Sequence, residues 1–154
     1  MNIDESRKQY SGGYYAEKLE IGLQFQDYIT TKLYQRGIVL NNFVSKKNQI
    51  SCGENMLGVE IKKDMLFRDT GNLYFEVSEK SHPDKTSYAA SGIHRKDNSW
   101  LFIIGDEKTI YIFPINYLVK LSGRYRKVQT PTSKAFLMPI ADAEKYCIRK
   151  FEFE

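Results

Sequence analysis

The chain has 154 residues, 42% of them hydrophobic and 14% aromatic, with a formal net charge of +4. That length corresponds to one compact domain with its own core, and no stretch approaches the ~20 apolar residues that a membrane span needs. The mild positive balance permits a polyanionic partner through counterion release without requiring one.

Residues 1–13 read as a loose leader ending at Ser11-Gly12-Gly13, and the charged N-terminus lacks the apolar stretch of a secretion signal, which predicts a soluble cytoplasmic protein. From Tyr14 to Arg36, Ile21, Phe25, Ile29 and Leu33 recur at four-residue steps, so one face of a long helix is apolar, and Gly37 follows as its left-handed terminator. The β-branched and apolar run Ile38–Val44 predicts a first strand, followed by a polar stretch from Ser45 to Asn48. Two alternating runs between Gly58 and Lys80 flank the turn-like Arg68-Asp69-Thr70-Gly71-Asn72, which predicts a hairpin. Beyond Pro83 a short helical piece around Ser87–Ser91 ends at Gly92. The apolar runs Trp100–Ile104 and Ile110–Phe113 suit strands buried on both faces. A helix over Ile115–Leu121, a strand over Ala135–Met138 and a helix over Ala141–Ile148 complete the chain. The expected organisation is a single α/β domain, with a core over 14–113, a C-terminal extension over 114–154 and a central mixed sheet flanked by helices.

The hairpin carries the most chemistry. Alternate strand residues share a face, so Glu60, Lys62 and Asp64 lie opposite Val59, Ile61, Met65 and Phe67, while Tyr74, Glu76, Ser78 and Lys80 lie opposite Leu73, Phe75 and Val77. A turn centred on Thr70 keeps the apolar faces together and sets Asp64 against Glu76, Lys62 against Ser78 and Glu60 against Lys80. Opposed carboxylates destabilise a sheet. A divalent cation would offset that cost and, with a nearby lysine, supply the chemistry of phosphodiester hydrolysis. The simpler reading is a solvated face on which Lys62 and Lys80 neutralise the acids.

In this order of elements, and in the acids Asp64 and Glu76, the sequence resembles the PD-(D/E)xK nuclease superfamily of restriction enzymes and junction resolvases, over about Tyr14–Phe113. The resemblance implies a restriction-endonuclease-like αβββαβ core, with an acid ending the second strand and an acid-x-lysine triplet on the third. It implies a Mg²⁺- or Mn²⁺-dependent deoxyribonuclease acting on DNA as a homodimer, with Asp64, Glu76 and a first-helix glutamate, Glu20 ahead of Glu17, holding the metal. Ser78 stands where the family has its lysine, so Lys80, or Lys62 across the hairpin, would assist the attacking water, Lys80 being slightly preferred. A second alignment takes Glu60-Ile61-Lys62 as the triplet and Glu54 as its upstream acid. The blocks Gly53–Asp64 and Thr70–Lys80 also resemble small phage-encoded proteins. Ser78 leaves open the alternative of a catalytically inactive, nuclease-like module that binds nucleic acid or protein.

Other features are less pointed. Lys80, His82, Lys85, His94 and Arg95 follow the second arm, and Lys120, Arg124, Arg126 and Lys127 follow the later helix; both groups suit either phosphate contacts or solvated surface. Trp100, the only tryptophan, opens an apolar run and reads as core rather than as a base-stacking residue. Cys52 and Cys147 are too few for a zinc site. There is no G-x-S-x-G nucleophile elbow and no phosphate-cradling G-x-x-x-x-G-K-[ST] loop.

Overall fold

The computed structural model describes the backbone of residues 12–154 and the side chains of residues 16–154. The expected leader over 1–13 therefore lies outside the described residues, except for Gly12 and Gly13, which open the first helix.

The elements in chain order are α1 (Gly12–Tyr34), α2 (Lys46–Ser51), β1 (Val59–Lys63), α3 (Phe67–Thr70), β2 (Asn72–Glu79) and β3 (Ala89–Ala90). A 3-10 turn over Gly92–His94 leads to β4 (Leu101–Gly105), β5 (Thr109–Pro114) and α4 (Ile115–Leu121). The chain ends with β6 (Arg126–Gln129), β7 (Ser133–Pro139), α5 (Ile140–Tyr146) and β8 (Arg149–Glu152). The fold is mixed α/β with two four-stranded sheets, ordered β1-β4-β5-β8 and β3-β2-β7-β6. In the first, β1 runs parallel to β4 and the other pairs are antiparallel. The second is wholly antiparallel.

Two apolar clusters explain the layering. Phe25, Ile29 and Leu33 of α1 pack with Val59, Ile61, Ile103, Ile110 and Ile112 on one face of the first sheet. The predicted four-residue stripe thus covers that sheet. The opposite face presents Phe102, Ile104, Tyr111 and Phe113 to Leu73, Phe75, Phe136 and Met138 of the second sheet. Leu118 and Leu121 of α4 and Ala143 of α5 join the same cluster. Phe75 is central to it, with ring centroids 5.1 Å from Phe136, 5.5 Å from Phe113 and 5.8 Å from Phe102. Buried runs on β4 and β5 are what a sheet covered on both faces requires. Among the described residues no helix is long and apolar enough to cross a membrane.

Several expectations are corrected. The run Ile38–Val44 forms no strand; it makes one isolated bridge, Asn42 to Asn55. Val39 and Val44 are exposed and Leu40 is buried, so the run has no continuous face for a sheet to cover. The polar stretch after it is the start of α2, with the Ser45 side chain accepting from the Asn48 amide at its N-terminus. The predicted hairpin does not form: β1 hydrogen-bonds to β4 and β2 to β7, so Asp64 and Glu76 are not cross-strand partners. The runs' own apolar faces would be covered either way; what differs is the partner, and β1 lies beside the buried strand β4 and β2 beside β7, whose Phe102 and Phe136 meet Phe75 in one core. In place of the turn, α3 ends at Gly71, whose φ of +71° is the left-handed conformation that glycine adopts most readily. Ser87–Ser91 contains the short strand β3 rather than a helix. Trp100 is 59% exposed rather than core. The strands β6 and β8 each have a single apolar residue, Val128 and Phe151, and lack the apolar run from which strands are read.

Candidate functional site at the seam of the two sheets

β1 is an edge strand of the first sheet, and its outer edge is closed by side chains from the loop before it. Glu54 Oε2 accepts from the Ile61 amide at 2.7 Å. Asn55 Oδ1 accepts from the Val59 amide and Asn55 Nδ2 donates to the Val59 carbonyl. These bonds satisfy backbone groups that an open edge would expose, and they hold the Glu54 carboxylate beside β1.

The two-residue period of β1 then sets Glu60 and Lys62 on the face turned toward the second sheet. Lys62 Nζ lies 3.2 Å from Glu60 Oε1 and 3.8 Å from Glu54 Oε1. Glu76 comes alongside from β2, close enough for its charge and that of Lys62 to influence one another. Its Oε1 accepts from Ser91 Oγ at 2.7 Å. Gly92 makes this approach possible: a Cβ there would fall 2.1 Å from the Glu76 carbonyl oxygen, and its φ is +52°. Arg95 adds a second cation, with Nε 3.1 Å from Asp97 Oδ2 and a terminal nitrogen donating to the Gln49 carbonyl.

Four carboxyl groups, Glu54, Glu60, Glu76 and Asp97, thus stand with two cations, Lys62 and Arg95. Burial shapes their titration. It raises Glu54 from the ordinary 4.5 to about 7, with Lys62 opposing the rise. Burial likewise raises Glu60 and Glu76, opposed mainly by Lys62 for the former and by the Ser91 hydrogen bond for the latter. For Lys62 burial acts downward, but the carboxylates of Glu60 and Glu54 more than reverse it, so its pKa rises and it remains an ammonium.

The buried side-chain polar atoms without a directed hydrogen bond, among the described residues, are both oxygens of Glu60, Asp97 Oδ2 and Ser99 Oγ. Glu60 is fully buried, and Asp97 acts electrostatically on it. Unsatisfied buried groups are uncommon in folded proteins and call for an explanation such as an ion, a water or a functional role. Among the described residues, no three carboxylate, imidazole or thiolate groups are arranged as a ready metal cage. Mg²⁺ does not need one, because it binds through one or two carboxylates and completes its shell with water and substrate phosphate. Oε1 of the fully buried Glu60 carboxylate already faces the Lys62 ammonium, which leaves Oε2, under the electrostatic influence of Glu76, as the oxygen that would meet that requirement.

The other sequence-predicted residues fall elsewhere. Asp64 is buried at the end of β1, where Oδ1 accepts from the Leu66 amide at 2.9 Å and Oδ2 from the Tyr74 amide at 2.8 Å. It ties the two sheets together by bonding the β2 edge that β7 leaves open. Lys80 turns away from the acids: its Nζ donates to the Pro83 carbonyl and lies over the Tyr88 ring. Of the two lysines weighed from sequence, the structure brings Lys62 to the carboxylates. Glu20 is exposed on α1, accepts from Gln24, and belongs to the helix that packs on the opposite face of the first sheet. Glu60, expected on the charged face of β1 and as the acid of the E-x-K triplet in the second alignment, stands at the centre with Glu54, which entered only as that alignment's upstream acid.

Comparison with protein-family models, curated proteins and solved structures found no match for this chain. The class it can be given is therefore structural: a mixed α/β protein of two sheets and a covering helix, with an acid–lysine cluster at their seam.

Proposed function

We propose that this chain is a divalent-metal-dependent nuclease that hydrolyses DNA phosphodiester bonds from the β1–β2 seam. The observation that carries the reading is the Glu60-Ile61-Lys62 triplet, with acid and lysine paired on one strand face and the second carboxylate oxygen of the buried Glu60 left without a partner among the described residues. Glu60 and Glu76 would hold Mg²⁺ or Mn²⁺. When bound, the ion would neutralise phosphate charge and lower the pKa of a coordinated water. Lys62 is 43% exposed at its side chain and stays protonated, so it can donate to a phosphate oxygen on which charge develops. Glu54 holds β1 in place through the Ile61 amide, and Asp64 fixes β2 relative to β1 through Tyr74. In this assignment Asp64 positions the site and Glu60 takes the metal-binding role first given to it.

A second reading is a catalytically inactive nuclease-like binding module. It is favoured by Lys62, which already lies between Glu54 and Glu60 and neutralises part of their charge internally.

Calorimetric titration of Mg²⁺ and Mn²⁺ into wild type, Glu60→Gln and Glu76→Gln, paired with cleavage of supercoiled, branched and single-stranded DNA, separates the two. The nuclease reading expects metal binding and cleavage in wild type, with both lost together in the two variants. A folded wild type that neither binds metal nor cuts any of the three substrates transfers the assignment to the binding module.

A further inference from the structure

The indole of Trp100 is exposed but not loose. Its Nε1 donates to the Leu57 carbonyl at 2.6 Å, and the Trp100 amide donates to the Gly58 carbonyl at 2.9 Å. The ring edge packs on Gly58 so closely that a Cβ there would fall 2.6 Å from Trp100 Cδ1. The polar end of the ring is thereby satisfied, its orientation is set, and 59% of the residue still faces solvent. Met56 and Leu57, at 75% and 54% exposure, adjoin it.

The exposed charged residues on the two segments that meet here are basic. Asn98 links the segment before Trp100 to the end of α2, its amide donating to the Cys52 carbonyl and its side chain to the Asn55 carbonyl. Lys46, Lys47 and Lys96 on these joined segments are exposed. Their acids are not: Glu54 is 3% exposed and the Asp97 side chain 1%. A fixed aromatic face, on segments whose exposed charged residues include three lysines, matches the requirements of single-stranded nucleic acid, whose bases stack on aromatic rings while cations track the backbone.

Position agrees with this. Gly58, on which the indole rests, precedes Glu60 by two residues, about 7 Å along a strand. Trp100 precedes by two residues Phe102, the β4 partner of Glu60.

We propose that Trp100 is the base-stacking platform of a single-stranded nucleic-acid site that feeds the seam. This deepens the nuclease reading and rests on it for the role of the stacked strand. Stacking is sequence-tolerant because every base has a π-face, so the site would select unpaired strands rather than a sequence.

Because Trp100 is the only tryptophan, its fluorescence reports the site directly. Titrating oligo(dT) into metal-free protein at low salt should quench that emission, with an affinity that falls as salt rises. Anisotropy of a labelled oligo(dT) should show binding weakened about 5- to 150-fold in Trp100→Leu, the range for loss of one stacked base, and largely retained in Trp100→Phe. Absence of quenching, or equal oligonucleotide affinity in wild type and Trp100→Leu, overturns the platform. So does an emission change with vesicles containing anionic lipid but none with oligo(dT), which would make the surface a membrane contact. Cleavage is scored separately: duplex cleavage without quenching rejects the platform and keeps the nuclease, whereas quenching without cleavage keeps the platform and rejects the nuclease.

Discussion

Lys62 and Glu60 are neighbours on one face of β1, with Nζ 3.2 Å from Oε1, and they differ sharply in environment: Glu60 is fully buried while the Lys62 side chain is 43% exposed. The acid cannot relocate and the lysine can. Removing the lysine strands the buried Glu60 carboxylate, whereas removing both charges leaves only Glu54 without its cation, and Glu54 keeps its bond from the Ile61 amide. Breaking a buried pair from one side usually costs 3–5 kcal/mol, and the exposure of Lys62 discounts that. Lys62→Met should therefore lose about 2 kcal/mol in urea unfolding, and the double variant Glu60→Gln/Lys62→Met should recover part of it. An additive double variant would show that the two side chains do not interact.

The buried acids make stability depend on pH. Burial raises the Glu54 carboxyl from 4.5 to about 7, so between those values the folded state binds more protons than the unfolded state. Its contribution is fully present below about pH 4.5 and is lost as pH rises through about 7. Relative to Glu54→Gln, in which the amide oxygen can still accept from Ile61, the wild-type Tm should fall across that window. A difference between the two proteins that stays constant from pH 4.5 to 7 would contradict the assignment.

Asp64 joins sheets that share no strand pairing. Its two oxygens take the amides of Leu66 and Tyr74, and both lose their acceptor in Asp64→Ala. Hydrogen bonds to a charged group contribute about 1.5–3 kcal/mol each, less what solvent restores. A loss of roughly 2–4 kcal/mol is expected, with faster hydrogen exchange at the Tyr74 amide. Asp64→Asn, which keeps one acceptor, should fall between. Unchanged exchange at Tyr74 in Asp64→Ala would show that this bond does not hold the β2 edge.

The parts of the fold set by local pattern were legible from the chain. The spacing of Ile21, Phe25, Ile29 and Leu33 predicted α1 and its apolar face, and the apolar runs Trp100–Ile104 and Ile110–Phe113 predicted, to within a residue at each end, the two strands at the middle of the first sheet. The α/β class follows from these elements. Charge and spacing alone placed Glu60 with Lys62 on one strand face and Glu76 on another, and they also favoured Asp64 and Lys80, which the fold engages with backbone groups instead.

Partner choice was decided elsewhere. Alternation gives the faces of β1 and β2 but not the strands beside them, because a hairpin and a split across two sheets bury the same apolar side chains, and the sheets are chosen by distant residues such as Phe102 and Phe136. The acids changed roles for that reason. Once β1 paired with β4, Asp64 met the Tyr74 amide instead of Glu76, Glu60 became fully buried instead of solvated, and Trp100 came to rest on Gly58 at the surface. Side-chain period is a property of the local chain, whereas burial and the identity of a charge's neighbour belong to the packed whole.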